Sequence, residues 1–303
     1  VDTTGNPGFN WQQFETAYRK AQLCLAETFH IAEIPGEPTV PAMHIFDTVA
    51  STNQVAWELL EQGAEAGTCV LATQQTGGKG QWGRQWSSPV GGLYLSLLLT
   101  PDLPVENAAQ LTLSSVWGVA HCLRSLPGKL RGADEQIPVQ VKWLNDLVLE
   151  RRKLGGILTE TRLSQGRITR AVVGVGVNWA NPVPPIGISL RPYLELQQST
   201  LIDSLEMLAG LTLHGLMLGY QCWRQQGIEG LLPSYLEMLA HRDRPIRVDG
   251  RTGTIVGITP QAELRVRFHS EPPQPINPPG ISSADASVEV LLKPGTISLG
   301  YGE

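Results

Sequence analysis

The 303-residue sequence predicts an α+β fold: a mixed, largely antiparallel sheet packed with helices, followed by a small all-β module of the SH3-like barrel type. Three observations predict it. Short apolar stretches follow one another at hairpin spacing between residues 139 and 177. Helical patterns with one apolar face lie before and after them. Beyond His241 the composition changes to short β-type stretches alternating with glycine.

Taken in order, Trp11–Phe29 reads as a helix, followed by a link containing Pro35, Pro38 and Pro41. His44–Phe46 reads as a strand. Ser51-Thr52-Asn53 then caps a helix whose Val55, Ala56, Leu59 and Leu60 share a face. Thr68–Thr73 and Leu93–Leu99 read as strands, and Glu106–Leu126 as a helix with Leu113, Val116, Trp117, Ala120 and Leu123 inward. Val139–Trp143, Leu147–Leu149, Gly155–Glu160 and Ile168–Val177 are the hairpin strands. Helices over Thr200–Gln225 and Glu229–Ala240 follow. The last module holds strands at Ile246–Val248, Gly253–Ile258, Leu264–Phe268, Val288–Leu292 and Thr296–Leu299, with a five-proline loop over Ser270–Ser287. The expected units are a helical extension (1–41), a main domain (42–243) and the β module (244–303).

Composition narrows the function classes. Apolar residues make up 42% and charged residues 17%, enough to bury a core and too little charge for a disordered chain. A net charge of −5 argues against a dedicated binder of nucleic acid or anionic membrane. Cys24, Cys69, Cys122 and Cys222 form no CxxC pair, so they read as reduced, mostly buried thiols of a cytoplasmic protein with no His/Cys metal site. The most apolar span, Leu201–Tyr220, contains Asp203, Glu206 and His214 and reads as a buried helix rather than a membrane span.

The chemistry concentrates in three stretches. Gly77-Gly78-Lys79-Gly80-Gln81-Trp82-Gly83-Arg84 contains a formal GxGxxG, but a strand rather than a helix follows it, which excludes a dinucleotide fingerprint. No Asp or Glu occurs from Cys69 to Pro101, and the only formal charges there are Lys79 and Arg84. A glycine loop with two unneutralised cations suits a phosphate or carboxylate. An ordinary glycine hairpin with solvated cations fits these residues equally well. The second stretch is Lys142-Trp143-Leu144-Asn145-Asp146, followed by Lys153-Leu154-Gly155-Gly156-Ile157-Leu158, where Arg151 and Arg152 read as a basic turn. In the third, Gly174 and Gly176 alternate along an apolar strand and weaken it unless something packs on them. Asn178, which ends that strand, would by itself read as a turn residue.

In this order the motifs resemble those of the biotin–protein ligase family, also called biotin–[acetyl-CoA-carboxylase] ligases, over about residues 43–300. The form resembled is the monofunctional one without an N-terminal DNA-binding domain. The resemblance implies ATP, magnesium and biotin as reactants, biotinyl-5′-AMP as intermediate, and a lysine of a biotin carboxyl carrier protein, the acetyl-CoA carboxylase subunit, as acceptor. It implies no DNA or membrane partner and leaves the oligomeric state open.

Residue by residue, it implies that Ser51, Thr52, Asn53 and Gln75 frame the ureido end of biotin. Gly78, Lys79, Gly80 and Gln81 would fold over biotin and its adenylate. Arg84 would meet phosphate, with Trp86 and Asn145 on the nucleotide. Lys153 would hold biotin's carboxylate and the α-phosphate, with Gly156 against biotin. Lys142 and Asp146 would lie near the phosphates and the incoming lysine, and Asn178 at the nucleotide and metal end. The chain departs from the pattern at Lys79 and Gln81, where the family loop carries arginine, and at Leu144, where it carries proline. Losing a guanidinium removes a bidentate phosphate clamp.

Three rival readings differ in what they require. A lipoate or octanoate ligase of the same fold needs no polar ureido site. A bifunctional repressor needs a winged helix–turn–helix, whereas residues 1–43 carry Asp2, Glu15, Glu27, Glu33 and Glu37 against Arg19 and Lys20, the wrong sign for DNA. A non-catalytic scaffold has no reason to keep the charge-depleted glycine loop.

Overall fold

The structure is a computed structural model that describes residues 9–29, 41–126, 130, 132, 136–268, 288–297 and 299–301, with the side chains of the first helix described through Gln22. Pro35 and Pro38 of the link, the Ser270–Ser287 loop and the side chain of Cys24 lie outside the described residues.

The elements are α1 (Trp11–Phe29), β1 (Met43–Val49), α2 (Thr52–Glu61), β2 (Cys69–Gln75), β3 (Leu93–Leu99), β4 (Leu103–Pro104), α3 (Ala109–Arg124), β5 (Gln140–Lys142), β6 (Asp146–Leu149), β7 (Arg152–Ser164), β8 (Arg167–Val177), α4 (Leu190–Leu196), α5 (Leu205–Met238), β9 (Pro245–Val248), β10 (Arg251–Ile258), β11 (Leu264–Phe268) and β12 (Val288–Leu292). The main sheet runs β1-β2-β3-β8-β7-β6-β5, with β4 on β8. Among these strands β1 and β2 alone pair in parallel, because α2 carries the chain back across the sheet between them.

Strand alternation divides the sheet into two faces. On β3, Leu93, Leu95, Leu97 and Leu99 enter the large core with α1, α3 and α5. Leu98 joins Val70, Val172 and Ala56 in a smaller core beneath α2. Ser96 and Tyr94 share the face of Leu98, and Gly174 and Gly176 share that of Val172. The α2 side is therefore where polar groups and bare backbone meet.

On the other side α3 and α5 cross at backbone contact. A methyl group on Gly215 would sit 2.8 Å from the Gly118 carbonyl oxygen. Each fully buried Leu or Val in this layer, such as Leu113, Val116 and Leu213, contributes about 1.5–3 kcal/mol. Phe14 and Tyr18 of α1 are buried in the same core.

Several expected elements shift. Glu106–Leu126 begins as a 3-10 turn over Val105–Asn107 before α3. The Gly155–Glu160 strand is the centre of a longer hairpin, turned at Gln165 and Gly166 with positive φ. Helix α4, unforeseen, starts from Ser189. Helix α5 starts at Leu205, not Thr200, because the Ser204 hydroxyl accepts from Met207 N at 3.2 Å. Gly227, at φ +71°, breaks α5 where two helices were expected. Beyond Met238 the chain forms the antiparallel sheet β12-β11-β10-β9. The expected strand at Thr296–Leu299 is absent among its described residues. Gly295 turns at φ +89°, and Thr296 bonds back to the Lys293 carbonyl through both its N–H and its hydroxyl.

Candidate active site

A cavity of about 140 Å³ opens on the α2 face of the sheet. Register builds its floor. Ser96 of β3 lies opposite Gly174 of β8, and Gly174 opposite Leu158 of β7. One step on, Gly176 lies opposite Gly156, and Gly156 opposite Asp146 of β6. The two β8 glycines leave room for neighbours. A methyl group on Gly174 would overlap the Asn53 amide, and one on Gly176 the Trp86 indole, 2.7 Å from its Cε2.

One end is neutral and closed. Ser51, Thr52 and Asn53 enter from the start of α2, all nearly fully buried. Gln75 Oε1 accepts from Thr52 N at 2.8 Å and lies 3.1 Å from Thr52 Oγ1, while its Nε2 donates to Ser88 Oγ at 2.9 Å. The Ser96 hydroxyl lies 2.7 Å from Asn53 Oδ1 and 2.8 Å from Thr52 Oγ1, and its single proton serves one of them at a time. Sequence reasoning missed Ser96; a lone serine in the apolar run Leu-Tyr-Leu-Ser-Leu-Leu-Leu was its signal.

The other end is charged. Asp146 Oδ1 lies 2.7 Å from Lys153 Nζ, and Oδ2 lies 3.8 Å from Lys142 Nζ. Lys153 Nζ stands 5.3 Å from the centre of the Trp86 ring. Lys142 is almost wholly buried, with Nζ 3.6 Å above the Tyr301 ring, and the Tyr301 hydroxyl donates to Asp146 Oδ2. Burial lowers Lys142 to about 8, and Lys153 and Arg84 push the same way against the attraction of Asp146. Tyr301 is raised by burial first and then by the Asp146 charge. Nothing in the sequence pointed to Tyr301, because only folding of the β module brings it 155 residues back onto Asp146.

The glycine loop closes as a hairpin over the cavity: Gly80 N donates to Arg84 O at 2.7 Å and Trp86 N to Gly78 O at 2.9 Å. Trp82 (φ +59°) and Gly83 (φ +72°) turn it. The Trp82 ring is 67% exposed and packs on the Gly295 backbone, away from the floor. Of the sequence-predicted residues, Ser51, Thr52, Asn53, Gln75, Lys79, Gly80, Gln81, Arg84, Trp86, Asn145, Asp146, Lys153 and Gly156 line this cavity. Lys142 lines a second one of about 380 Å³, which shares Gln81, Arg84, Asn145 and Asp146 with the first and reaches Pro294–Ile297. Two residues lie elsewhere. Gly78 packs on Ser88 and the Trp86 carbonyl outside the wall. Asn178 is buried behind β7, where its Nδ2 donates to Lys153 O at 3.3 Å and its Oδ1 accepts from Asn181. It holds the Lys153 backbone rather than facing the space.

Residues 45–178 match the model of the biotin/lipoate A/B protein ligase family. The bifunctional ligase/repressor BirA of Escherichia coli is 30% identical over 230 residues, which cover 75% of this chain and 68% of that protein. The chain belongs to the biotin/lipoate A/B protein ligase family. A further ligase relative, the biotin–[acetyl-CoA-carboxylase] ligase of Paracoccus denitrificans, is 34% identical over 130 residues, 43% of this chain and 51% of that one. The BirA of Bacillus subtilis is 35% identical over 133 residues, but the match spans only 38% of its length. Among solved ligases, the Aquifex aeolicus biotin protein ligase in complex with biotin and ATP superposes with a TM-score of 0.59 at 24% identity, over 74% of this chain and 91% of that one. That likeness shows the fold.

Proposed function

We propose that this chain joins biotin to a carrier-protein lysine in two steps, using ATP and passing through biotinyl-5′-AMP. One observation carries the reading: a cavity has a neutral hydrogen-bonding end and, across a bare glycine floor, an end lined by Arg84, Asp146 and Lys153, where Asp146 pairs with Lys153 and, from the adjoining cavity, with Lys142. Such a space suits an acid with a polar, uncharged head whose carboxylate must meet a phosphate. The relatives are named as ligases that use biotin.

In the first step biotin's carboxylate oxygen attacks the α-phosphorus of ATP, and pyrophosphate leaves. Both reactants are anions, so Lys153 and Arg84 lower the cost of their approach. In the second, a lysine amine attacks the acyl carbonyl, AMP leaves, and the amine gives up a proton. Asp146, the carboxylate of the wall, would take that proton. Magnesium fits as part of the nucleotide, with Asp146 at hand; bound to the triphosphate it screens phosphate charge.

The acceptor we propose is the biotin carboxyl carrier protein of acetyl-CoA carboxylase, and the setting the cytoplasm, in keeping with the free, buried Cys69, Cys122 and Cys222. Residues 42–243 would form the catalytic unit and 244–303 a module that closes the Lys142 side. No described helix is long and apolar enough to cross a membrane. The test is incubation with ATP, magnesium and biotin, then with octanoate in its place, reading the adenylates by mass spectrometry. Biotinyl-AMP is expected; octanoyl-AMP alone would overturn the reading in favour of a lipoate or octanoate ligase.

A further inference from the structure

Glu160 of β7 stands behind the neutral end without lining the cavity. Its Oε2 accepts from Asn53 Nδ2 at 3.0 Å and from Trp57 Nε1 at 3.2 Å. A carboxylate offers acceptors alone, so the Asn53 amide must turn its nitrogen toward Glu160. The reversed amide would place oxygen against oxygen in a nearly waterless spot, since Asn53 is 3% exposed. With the nitrogen held outward, Asn53 Oδ1 faces inward beside the Ser96 hydroxyl, at 2.7 Å, above bare Gly174. The Glu160 side is also braced. Arg162, two residues on, covers the Trp57 ring at 4.4 Å and pairs with Glu61 at 2.7 Å, tying β7 to α2.

We propose that Glu160 is a positioning residue that fixes the direction of the Asn53 amide, so that the cavity offers a hydrogen-bond acceptor to an acid whose far end carries N–H donors. A cyclic urea is that chemistry; a plain alkyl chain or a disulfide ring is not. The inference rests on the biotin reading and adds the group that sets its selectivity. A site built to pair with a substrate N–H discriminates strongly against an analogue lacking one, because its own polar groups are then left unpaired.

The experiment compares Kd values of the full chain for biotin, octanoate and ATP by calorimetry. Glu160→Ala leaves the Asn53 Nδ2 with only the long contact to the Leu158 carbonyl, 3.5 Å, so the amide can turn; biotin should weaken about tenfold or more, while octanoate and ATP hold within about twofold. Glu160→Gln keeps an acceptor oxygen and should retain most of the biotin affinity. In an Asn53→Ala background, Glu160→Ala should add nothing further. An exchange keeps the test usable if Glu160→Ala fails to fold. Asn53→Asp alone sets two carboxylates together and should lose biotin, and adding Glu160→Gln should restore it, since a carboxylate then still faces inward. Equal weakening of all three ligands, full additivity with Asn53→Ala, or no rescue in the exchange would overturn the proposal. A wild-type chain that binds octanoate and no biotin would instead overturn the function on which it rests.

Discussion

At the Asn53 end of the cavity the groups that face the space are neutral and already bonded to one another; at the Lys153 end they are charged and share one carboxylate. Neutral groups can be buried once each has a partner, so Thr52, Asn53, Gln75 and Ser96 form a closed net on rigid elements. Charges resist burial, so the Lys153 end is held by ion pairs and a ring, and part of it stays open to the second cavity. The contrast teaches that one end is built to select and the other to attract and activate. The first should be insensitive to pH and salt, and the second sensitive to both.

The sharpest break removes the activating cation. Lys153→Ala should depress adenylate formation by about 10²–10³, the usual loss for one positioned donor, without loss of folding. Pyrophosphate exchange beside a thermal melt would show it; near-normal exchange would move the role to Arg84. Next, Gly174→Ala pushes a methyl group onto the Asn53 amide. Overpacking of about 1–3 kcal/mol should weaken biotin by about ten- to a hundredfold and leave ATP binding alone. Equal losses for both ligands in titrations would dissolve the distinction between the ends.

A gain is expected at Gln81, which borders both cavities. Gln81→Arg should slow biotinyl-AMP release by about tenfold, since a charge-assisted bond to phosphate is worth roughly 1–2 kcal/mol more than a neutral amide's. Trp82 packs on Gly295 in the wall of the second cavity, and its neutral ring offers no charge-assisted bond of that kind. Chase of preformed intermediate with unlabelled ligand reads the rate, and an equal or faster release would show that position 81 does not reach the phosphate.

The smallest effect is in pH. Lys142, lowered to about 8 chiefly by burial, is a cation below that value and neutral above it. As pH rises from 7 to 9 one positive charge leaves the site, so ATP should bind about fivefold more weakly, on the order of 1 kcal/mol. Biotin affinity should stay flat. Lys142→Met should abolish the slope, and an unchanged slope in that variant would assign the titration elsewhere.

Much of this was legible because it is local. Leu93–Leu99 carries leucine at every odd position, and that strand period marks the face that enters the main core. The charge-free stretch around Lys79 and Arg84 was visible as composition, and the alternation of Gly174 and Gly176 announced something packed against the strand. Helix ends were read less well, because a cap such as Ser204 differs from an ordinary serine only once the turn has formed.

Periodicity and glycine placement act between near neighbours, so the strands, their two faces and the residue types of the cavity could be read from the chain. Which polar groups meet depends on the folded molecule. Asn178, marked for the nucleotide, turns its amide to the Lys153 backbone because burial demands a partner and that carbonyl supplies one. Glu160 and Tyr301 look like surface residues in the chain, yet one holds Asn53 across 107 positions and the other caps Asp146 across 155. Such pairs arise from the need to satisfy buried donors and charges after strands are in register, and no local pattern encodes them.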